Sequence, residues 1–482
     1  MANSSVITVP GRPGFNGLLW WFQGPTSSLD QFSFELDGSP ITVEAGSVRL
    51  IPLTGLGGSP SGSPADRSFL LITSHAGQKP GTAHQLRVTC AGQTSNIARS
   101  RTLPETPDTL EIVLASCFYR QNNRMTGAMP LPKRFMPPNP PPHLKILSGD
   151  QIYLDLSGVG LPVFNMKNPW DDYARQWRDP KFLAWLSSGP NICMADDHEF
   201  WNNYPKKIRL AKFASSIFKI PAREVIDEMH WGFLVYQAAL NADPDHLLAN
   251  PVALLDPDDL KCFEFPNPAT TPQFTRGFSA FFLDTRTERA ESPEGGFTKA
   301  AWLRRAIDWI EQRNGPGFLV TSQPLLGEPS KSETDLAYFK NQFFDLWHAI
   351  QASKHQLTLL TGDIHWSRAQ EIASIAGAVP HYEVVSSAIS RIALYDPTAS
   401  LGRVRTQTKL GNTRVATAVR LADSNAAQNF AVLTFAAGAR GGLKCTVQWW
   451  QFDENGAISL ADVYPGWGDL FRRKMKVEFE IA

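Results

Sequence analysis

The sequence predicts a layered α/β protein preceded by an N-terminal antiparallel β-sandwich domain. From about residue 108, short apolar runs alternate with amphipathic stretches, a pattern typical of α/β domains. The first ~105 residues instead contain strand-like runs separated by breaks rich in glycine, proline and serine. The pattern of the last ~80 residues again predicts strands, which either extend a sheet of the middle region or form a β cap. We assign residues 1–105 to the sandwich domain, 106–400 to the catalytic domain and 401–482 to a β-rich extension of it.

The middle region divides into strands and helices by its hydrophobic pattern. Seven segments are predicted strands: TLEIVLASC, HLKILSGD, NICMADDHE, GFSAFFLDTR, GFLVTSQ, LTLLTGDIH and YEVVSSAIS. Three segments are predicted helices: KKIRLAKFASSIF, KAAWLRRAIDWIEQR and LAYFKNQFFDLWHAIQAS. The proline-dense segment at residues 130–145 is expected to run extended, as a stiff surface linker or as a loop beside a site.

Charge and composition exclude several classes of protein. Lys+Arg and Asp+Glu each total 46 in the 482 residues, so the whole chain has no basic footprint for nucleic acid. Five scattered cysteines do not form a disulfide framework. No apolar run reaches the roughly 18–20 residues that cross a bilayer, and the first residues lack a signal-peptide pattern. We expect a cytoplasmic protein, or an exported one whose leader has been removed; the oligomeric state is left open.

Four predicted strands lead directly into residue types that ligate metals. In an α/β sheet, ligands bind outside the carboxyl ends of the strands, so four strands of one sheet would bring these side chains together. A single Gly-Asp pair is typical of a turn and a single cysteine is typical of a core, but turn chemistry does not account for the combination. Oxygen, nitrogen and sulfur donors together indicate unlike metals that share a bridging carboxylate. The candidates are Cys117, Asp150, Tyr153, Asp196, Asp197, His198, Asn203, Asp363 and His365.

Six ordered segments carry a resemblance to a known family. LASCFYRQ, SGDQIYLD, MADDHEFWNNYP, FFLDTR, LLTGDIHWS and YEVVSSAIS resemble the PhoD-like alkaline phosphatases of the calcineurin-like metallophosphoesterases, over roughly residues 108–395. The resemblance implies a β-sandwich core flanked by helices. It also implies a phosphomonoesterase or phosphodiesterase in which a metal-bound hydroxide attacks a small phosphoester substrate.

The resemblance further implies a centre of Fe(III) and Ca²⁺, with Mn²⁺, Mg²⁺ or Zn²⁺ as alternatives. Cys117 and Tyr153 would ligate the iron, Asp150 would bridge the metals, and Asn203 would supply an amide oxygen. Asp363 and His365 would complete the set. The Asp-Asp pair would supply a carboxylate; Asp197 matches the family's Gly-Asn-His motif, and Asp196 stays open as the alternative.

Three further residues have candidate roles toward the substrate. His198 matches the position that protonates the leaving group or steadies the phosphate, with a supporting role beside Asp197 as the alternative. Arg286 is a candidate phosphate ligand; otherwise it pairs with Asp284 or Glu288. Arg120, and with it Arg209, is a further candidate.

Two other functions stay open. The same kind of site serves phosphotriesters, phosphonates, cyclic nucleotides or lipid phosphodiesters. A non-catalytic binding protein with a degenerate metal site is the third possibility, although none of the expected ligands is missing. A Ser-His-Asp hydrolase and a P-loop protein are disfavoured because neither G-x-S-x-G nor G-x-x-x-x-G-K-[ST] occurs.

Overall fold

The chain forms an N-terminal pair of antiparallel sheets and a larger sandwich of two mixed sheets with helices outside it. The computed structural model describes residues 5–42, 48–50, 67–104, 109–120, 131–156, 168–206, 208–209, 218–219, 221–265, 279–326, 335–373, 379–390, 407–410, 413–423, 428–437, 443–452, 458–460 and 476–481.

The described residues of the N-terminal part form nine strands in two sheets. One sheet has the order β1-β2-β6-β5; the other has the order β4-β3-β7-β8, with β9 also paired to β7. All of these pairings are antiparallel. The strands are β1 (Ile7–Pro13), β2 (Gly17–Gln23), β3 (Phe32–Leu36), β4 (Ser39–Ile41), β5 (Val48–Leu50), β6 (Ser68–Ser74), β7 (Ala83–Cys90), β8 (Gln93–Thr94) and β9 (Ala98–Arg101), with a 3₁₀ turn at Leu29–Gln31.

Strand β2 is buried on both faces, which explains why its sequence, GLLWWFQ, has no polar alternation. Successive side chains of a strand point to opposite faces. Trp20 and Phe22 pack against Phe34 of the second sheet. Trp21 points the other way, and its ring lies 5.5 Å from that of Tyr236 in the helical layer of the larger sandwich. The N-terminal domain is therefore fixed to the rest of the chain by a continuous apolar core.

The rest of the described chain contains the remaining strands and all the α-helices; β13 and β14 pair only with each other, and the other strands form the larger sandwich. The strands are β10 (Thr109–Ala115), β11 (Leu144–Ser148), β12 (Asn191–Met194), β13 (Ile208–Arg209), β14 (Phe218–Lys219), β15 (Cys262–Phe265), β16 (Ser279–Leu283), β17 (Gly317–Val320), β18 (Leu357–Thr361), β19 (Arg368–Ala373), β20 (His381–Val385), β21 (Gln407–Leu410), β22 (Thr413–Asp423), β23 (Asn429–Ala437), β24 (Leu443–Phe452), β25 (Ile458–Leu460) and β26 (Lys476–Ile481). The helices are α1 (Pro169–Trp177), α2 (Pro180–Ser187), α3 (Arg223–Gly232), α4 (Pro244–Ala249), α5 (Pro257–Lys261), α6 (Ala300–Gln312) and α7 (Lys340–Ala352). Single 3₁₀ turns lie at Lys133–Phe135, Asp197–Glu199, Ala238–Asn241 and Leu336–Tyr338, and a π-helical turn at Phe233–Gln237.

Two sheets face each other across the core of the sandwich. The first has the order β12-β11-β10-β23-β24-β25, with β26 also beside β24, and the second has the order β15-β16-β17-β18-β20-β19-β22-β21. Ile146 of the first sheet meets Phe282 and Val320 of the second in the core between them. Strands β10 to β12 are parallel, as are β16, β17, β18 and β20. In each sheet the carboxyl ends of these parallel strands therefore lie at one edge.

Helix α6 shows why the outer layers form. Its buried residues, Trp302, Leu303, Ala306, Trp309 and Ile310, recur at helical spacing and pack with α7 on the outer face of the second sheet. The outer face of the first sheet is covered by α1, α2 and the π-helical turn.

The predicted elements are confirmed with one exception. All seven predicted strands of the middle region exist, and so do the helices α6 and α7. The helix predicted over KKIRLAKFASSIF is wrong at its ends, because β13 and β14 form a two-residue antiparallel pair. Residues 210–217 of that segment lie outside the described residues. The amphipathic spacing of this segment did not determine its secondary structure, since Ile208 and Phe218 are residue types that favour strands.

The strands after residue 401 continue both sheets of the sandwich. Strands β21 and β22 extend the second sheet, and β23 to β26 extend the first. They do not form a separate cap. In the residues that the structure describes, no helix combines the length and the apolar character needed to cross a membrane.

The described part of the proline-dense segment packs against the N-terminal domain. Phe135 is buried in the main core, and its carbonyl accepts a hydrogen bond of 2.7 Å from Nη1 of Arg99 on β9. The carbonyl of Asn139 accepts another from Nη2 of the same arginine at 2.5 Å. Of the two alternatives, the described residues fit a stiff surface segment: residues 137–140 are exposed, and Arg99 holds the segment against the N-terminal domain.

Candidate metal centre

The candidate ligands lie where two sheets meet, and not at the edge of one sheet as the sequence suggested. Cys117 follows β10 and Asp150 follows β11 of the first sheet, whereas Asp363 follows β18 of the second. The backbone N–H of Cys117 donates to the carbonyl of Gly149 at 3.1 Å, and that of Ser390 donates to the carbonyl of Cys117 at 3.0 Å. The parallel strands of both sheets therefore end at a common edge.

The backbone is strained at these residues. Of the residues that the structure describes, seven other than glycine have a positive φ, and five of the seven are predicted ligands. Such a conformation costs about 1–3 kcal/mol and persists where the surroundings impose it, as at functional sites. The φ values are 60° at Cys117, 57° at Asp150, 63° at Asn203, 66° at Asp363 and 52° at His365.

The glycines of the two Gly-Asp pairs are there because the chain segments approach closely. A Cβ on Gly149, whose φ is +99°, would lie 2.5 Å from Cβ of Asp196. A Cβ on Gly362 would lie 2.5 Å from Cβ of Ser116. No side chain fits at either position. The Gly-Asp pairs are therefore more than ordinary turns, because each allows two ligand-bearing loops to touch.

Among the residues that the structure describes, three groups of side chains have ligand atoms within 4.8 Å of one another, and Asp150 belongs to all three. The groups are Cys117, Asp150 and His365; Asp150, Asp197 and His198; and Asp150, Asp196, Asp197 and Asp363. The sequence left open whether Asp196 or Asp197 supplies the carboxylate to a metal. Both belong to the last group, so both could do so. The Asp150 carboxylate thus lies close to every other candidate ligand atom of these groups.

Sulfur, phenol and imidazole donors surround Asp150 on one side. Oδ2 of Asp150 lies 3.5 Å from Sγ of Cys117 and 3.5 Å from the hydroxyl oxygen of Tyr153. The same hydroxyl oxygen lies 3.1 Å from Nε2 of His365. Burial raises the pKa of the Cys117 thiol and of the Tyr153 phenol well above their ordinary values. A cation would reverse this effect, because it stabilises the thiolate and the phenolate.

Carboxylates surround Asp150 on the other side. Oδ1 of Asp196 accepts hydrogen bonds from Nε of Arg286 at 2.6 Å and from Oγ of Ser322 at 3.2 Å. Its Oδ2 is buried and has no hydrogen-bond partner among the described residues. Burial raises the pKa of Asp196 to about 8 despite the adjacent guanidinium. A buried carboxylate oxygen without a donor is suited to binding a cation.

Asp197 is held by the predicted ligand Asn203. The backbone N–H of Asn203 donates to Oδ2 of Asp197 at 2.6 Å. Burial raises the pKa of Asp197, but the charges of Arg286 and His198 outweigh it, so the pKa is lowered. Asp363 is held in turn by Gln323, whose Nε2 donates to its Oδ2 at 2.8 Å. Gln323 accepts a hydrogen bond of 2.7 Å from Arg289.

His198 lies between the ligands and an acidic partner that the sequence analysis missed. Its Nδ1 is 2.6 Å from Oδ1 of the buried Asp155, and its ring centroid is 4.2 Å from that of Tyr153. Burial lowers the pKa of His198, but Asp155, Asp197 and Asp150 together raise it well above its ordinary value. Asp155 ends the quoted segment SGDQIYLD, yet nothing in its spacing distinguishes it from an ordinary polar residue.

The arginine candidates lie in different surroundings. The Arg286 side chain is 1% exposed and pairs with Asp196, and neither Asp284 nor Glu288 is its ion-pair partner. Arg120 is half-buried, and its charge, like that of Arg175, acts on the carboxylate of Asp172 in α1. The side chain of Arg209 lies outside the described part of the chain.

Comparison with known proteins identifies the fold. No protein-family model matches the chain, and no curated protein sequence matches it. A solved structure titled "Structure of PhoD" superposes with a TM-score of 0.61 at 14% sequence identity, covering 94% of this chain and 88% of that one. The chain therefore has a PhoD-like fold, as its six motifs indicated.

Proposed function

We propose that the protein is a metal-dependent phosphoester hydrolase that acts on phosphate monoesters or diesters. The observation that carries the proposal is the Asp150 carboxylate, which is common to all three groups of potential ligands. The PhoD-like fold supports the same class of reaction. The oxygen of Asp196 that lacks a partner further favours a bound cation.

Two kinds of ion fit the two sides of Asp150. The thiol, phenol and imidazole of Cys117, Tyr153 and His365 suit a transition metal, with Fe(III) as our proposal. The carboxylates of Asp196, Asp197 and Asp363 suit a harder ion, with Ca²⁺ as our proposal. We propose the side-chain amide of Asn203, whose backbone N–H binds Asp197, as a further oxygen donor. Ions held in this way lower the pKa of water and offset charge on phosphoryl oxygens.

Protein groups would handle the leaving group and the substrate. Since Nδ1 of His198 is taken by Asp155, Nε2 is the nitrogen left for transferring a proton to the leaving-group oxygen. The Arg286 guanidinium forms an ion pair with Asp196, so we expect it to orient this candidate metal ligand. Arg120 is therefore the better candidate for direct contact with the phosphate of the substrate.

Turnover of a matched set of p-nitrophenyl esters tests the proposal. The kcat/KM of a monoester, a diester and a triester with one leaving group is compared in the metal-loaded wild type. We expect turnover of the monoester or the diester, lost in Asp150→Ala and His365→Ala and retained in Asp308→Asn, a half-exposed control on α6. Preference for the triester would favour the alternative substrate class. Full metal content with no turnover of any ester would contradict the proposal.

A further inference from the structure

Glu199 is a buried carboxylate that belongs to none of the three ligand groups found among the described residues. It ends the 3₁₀ turn Asp197–Glu199 and is 0% exposed. A carboxylate buried without a cation is costly unless hydrogen bonds satisfy it. Its contacts are therefore informative about why it is there.

Four N–H donors satisfy this carboxylate, and three of them belong to the ligand-bearing loops. Oε2 accepts from the backbone N–H of Asp150 at 2.9 Å and of Asp196 at 2.8 Å. Oε1 accepts from the backbone N–H of Gln151 at 2.6 Å and from Nε2 of Gln237 at 3.0 Å. One oxygen of Glu199 thus joins the backbones of two candidate ligands.

The two loops that Glu199 joins are in direct contact. As described above, Gly149 leaves room for no Cβ beside Asp196. Asp150, the next residue, has a left-handed backbone that requires support from its surroundings. The hydrogen bonds from Asp150 and Gln151 to Glu199 supply that support.

Gln237 fixes the other end of this arrangement. It is fully buried and is the last residue of the π-helical turn Phe233–Gln237. Such turns are rare and occur frequently at functional sites. Because Gln237 donates to the oxygen that also accepts from Gln151, it restricts the orientation of the Glu199 carboxylate.

We propose that Glu199 is a positioning residue of the metal centre. It holds the loops of Asp150 and Asp196 at the separation at which both carboxylates reach one cation, and Gln237 fixes its orientation. This inference rests on the proposed function for its chemistry, but metal binding tests it without any phosphoester.

Glu199→Gln is the sharpest probe, because the amide keeps the shape of the side chain and turns one acceptor into a donor. That NH₂ group would face backbone N–H groups that need an acceptor. Glu383 offers a control of equal burial in the second sheet, since it is also 0% exposed and accepts from the backbone N–H groups of Leu325 at 3.0 Å and Leu326 at 3.2 Å. It differs from Glu199 in pairing with the buried Arg368 at 3.0 Å, so its replacement is expected to lower the Tm at least as much.

Mn²⁺ binding is measured by calorimetry, and the Tm by thermal unfolding, in wild type, Glu199→Gln and Glu383→Gln. Loss of a group that orients metal ligands typically weakens metal affinity by about 10–100-fold. We expect a rise of the Kd for Mn²⁺ in this range for Glu199→Gln and less than about twofold for Glu383→Gln, although both lower the Tm. Gln237→Leu, which removes one donor of four, is expected to raise the Kd less than Glu199→Gln does.

An unchanged Kd in Glu199→Gln, or an equal loss in Glu383→Gln, would overturn the inference. If Glu199→Gln does not fold, an unchanged Kd in Gln237→Leu overturns it instead. A wild type that binds no metal contradicts both proposals. A wild type that binds Mn²⁺ but hydrolyses no ester contradicts the proposed function alone, and weaker binding by Glu199→Gln still supports the positioning role.

Discussion

Nδ1 of His198 lies 2.6 Å from Oδ1 of Asp155, and the two residues are 43 positions apart in the chain. Oδ2 of Asp155 accepts a second hydrogen bond, from the backbone N–H of Asn202 at 2.9 Å. The carboxylate is therefore fixed from the loop that also carries Asn203. This arrangement orients the imidazole and favours its protonated form, which is what a general acid requires.

Asp155→Asn is expected to slow the hydrolysis of esters with poor leaving groups. General acid catalysis contributes about 10²–10⁴-fold, and a leaving group of low pKa does not need it. The kcat of aryl phosphates with a range of leaving groups measures the difference between the variant and the wild type. An equal decrease for all leaving groups would show that Asp155 only supports the structure; the exposed Asp171→Asn on α1 is the control.

Substitution by glutamine is expected to lower stability at Arg286 and to weaken substrate binding at Arg120. Arg286→Gln leaves Asp196 buried without its partner, and breaking such a pair costs about 3–5 kcal/mol of unfolding free energy. Arg120→Gln is expected to change the unfolding free energy by less than about 0.5 kcal/mol and to raise the KM. Urea unfolding and steady-state kinetics test both; a stable Arg286→Gln variant would contradict the role of the pair.

Tyr153→Phe is expected to remove the phenolate contribution to the visible absorption of the iron-loaded protein and to leave the thiolate contribution of Cys117. The ferric ion proposed here would bind the Tyr153 phenolate and the Cys117 thiolate, and both give charge-transfer bands. The variant keeps the ring packing against His198 and loses only the hydroxyl. Spectra of wild type, Tyr153→Phe and Cys117→Ser at equal iron content test this. An unchanged spectrum in Tyr153→Phe would exclude the phenolate as a ligand.

His381 is expected to make the protein less stable in mild acid. Burial, with Arg313 next in importance, lowers its pKa to about 4, and Nδ1 accepts a hydrogen bond of 3.1 Å from the backbone of Leu357. Below pH about 6.5 His381 binds a proton in the unfolded chain and stays neutral in the folded protein, so the free energy of unfolding falls as the pH falls towards 4.

His381→Gln keeps a neutral acceptor that does not titrate. Between pH 7 and 5 the wild type should lose about 2 kcal/mol more unfolding free energy than this variant. Urea unfolding with chelator present measures the difference. Parallel pH profiles would contradict the prediction, and His143, whose pKa burial lowers to about 3, should behave similarly.

The order of strands and ligands was predictable from sequence because both depend on local patterns. Apolar runs that end in Cys117, Asp150 and Asp363 predict strand ends with polar side chains, and the structure has them there. The division between two sheets was not predictable, since a parallel strand has the same pattern in either sheet of a sandwich.

Long-range partners were not predictable for a related reason. Arg286 pairs with Asp196 across 90 positions, whereas the sequence suggested only its neighbours Asp284 and Glu288. Glu199 was visible beside the Asp-Asp pair, but its hydrogen bonds to Asp150 and Gln151 depend on the contact between loops. Spacing along the chain carries no information about such contacts.

Elemental analysis of protein purified without added metal or chelator tests the central claim most directly, because it reports whether Asp150 joins two unlike ions. The account predicts iron and calcium in the wild type and loss of both in Asp150→Asn, since that carboxylate is common to all three ligand groups. A wild type without bound metal, or an Asp150→Asn variant that keeps the full content, would contradict it.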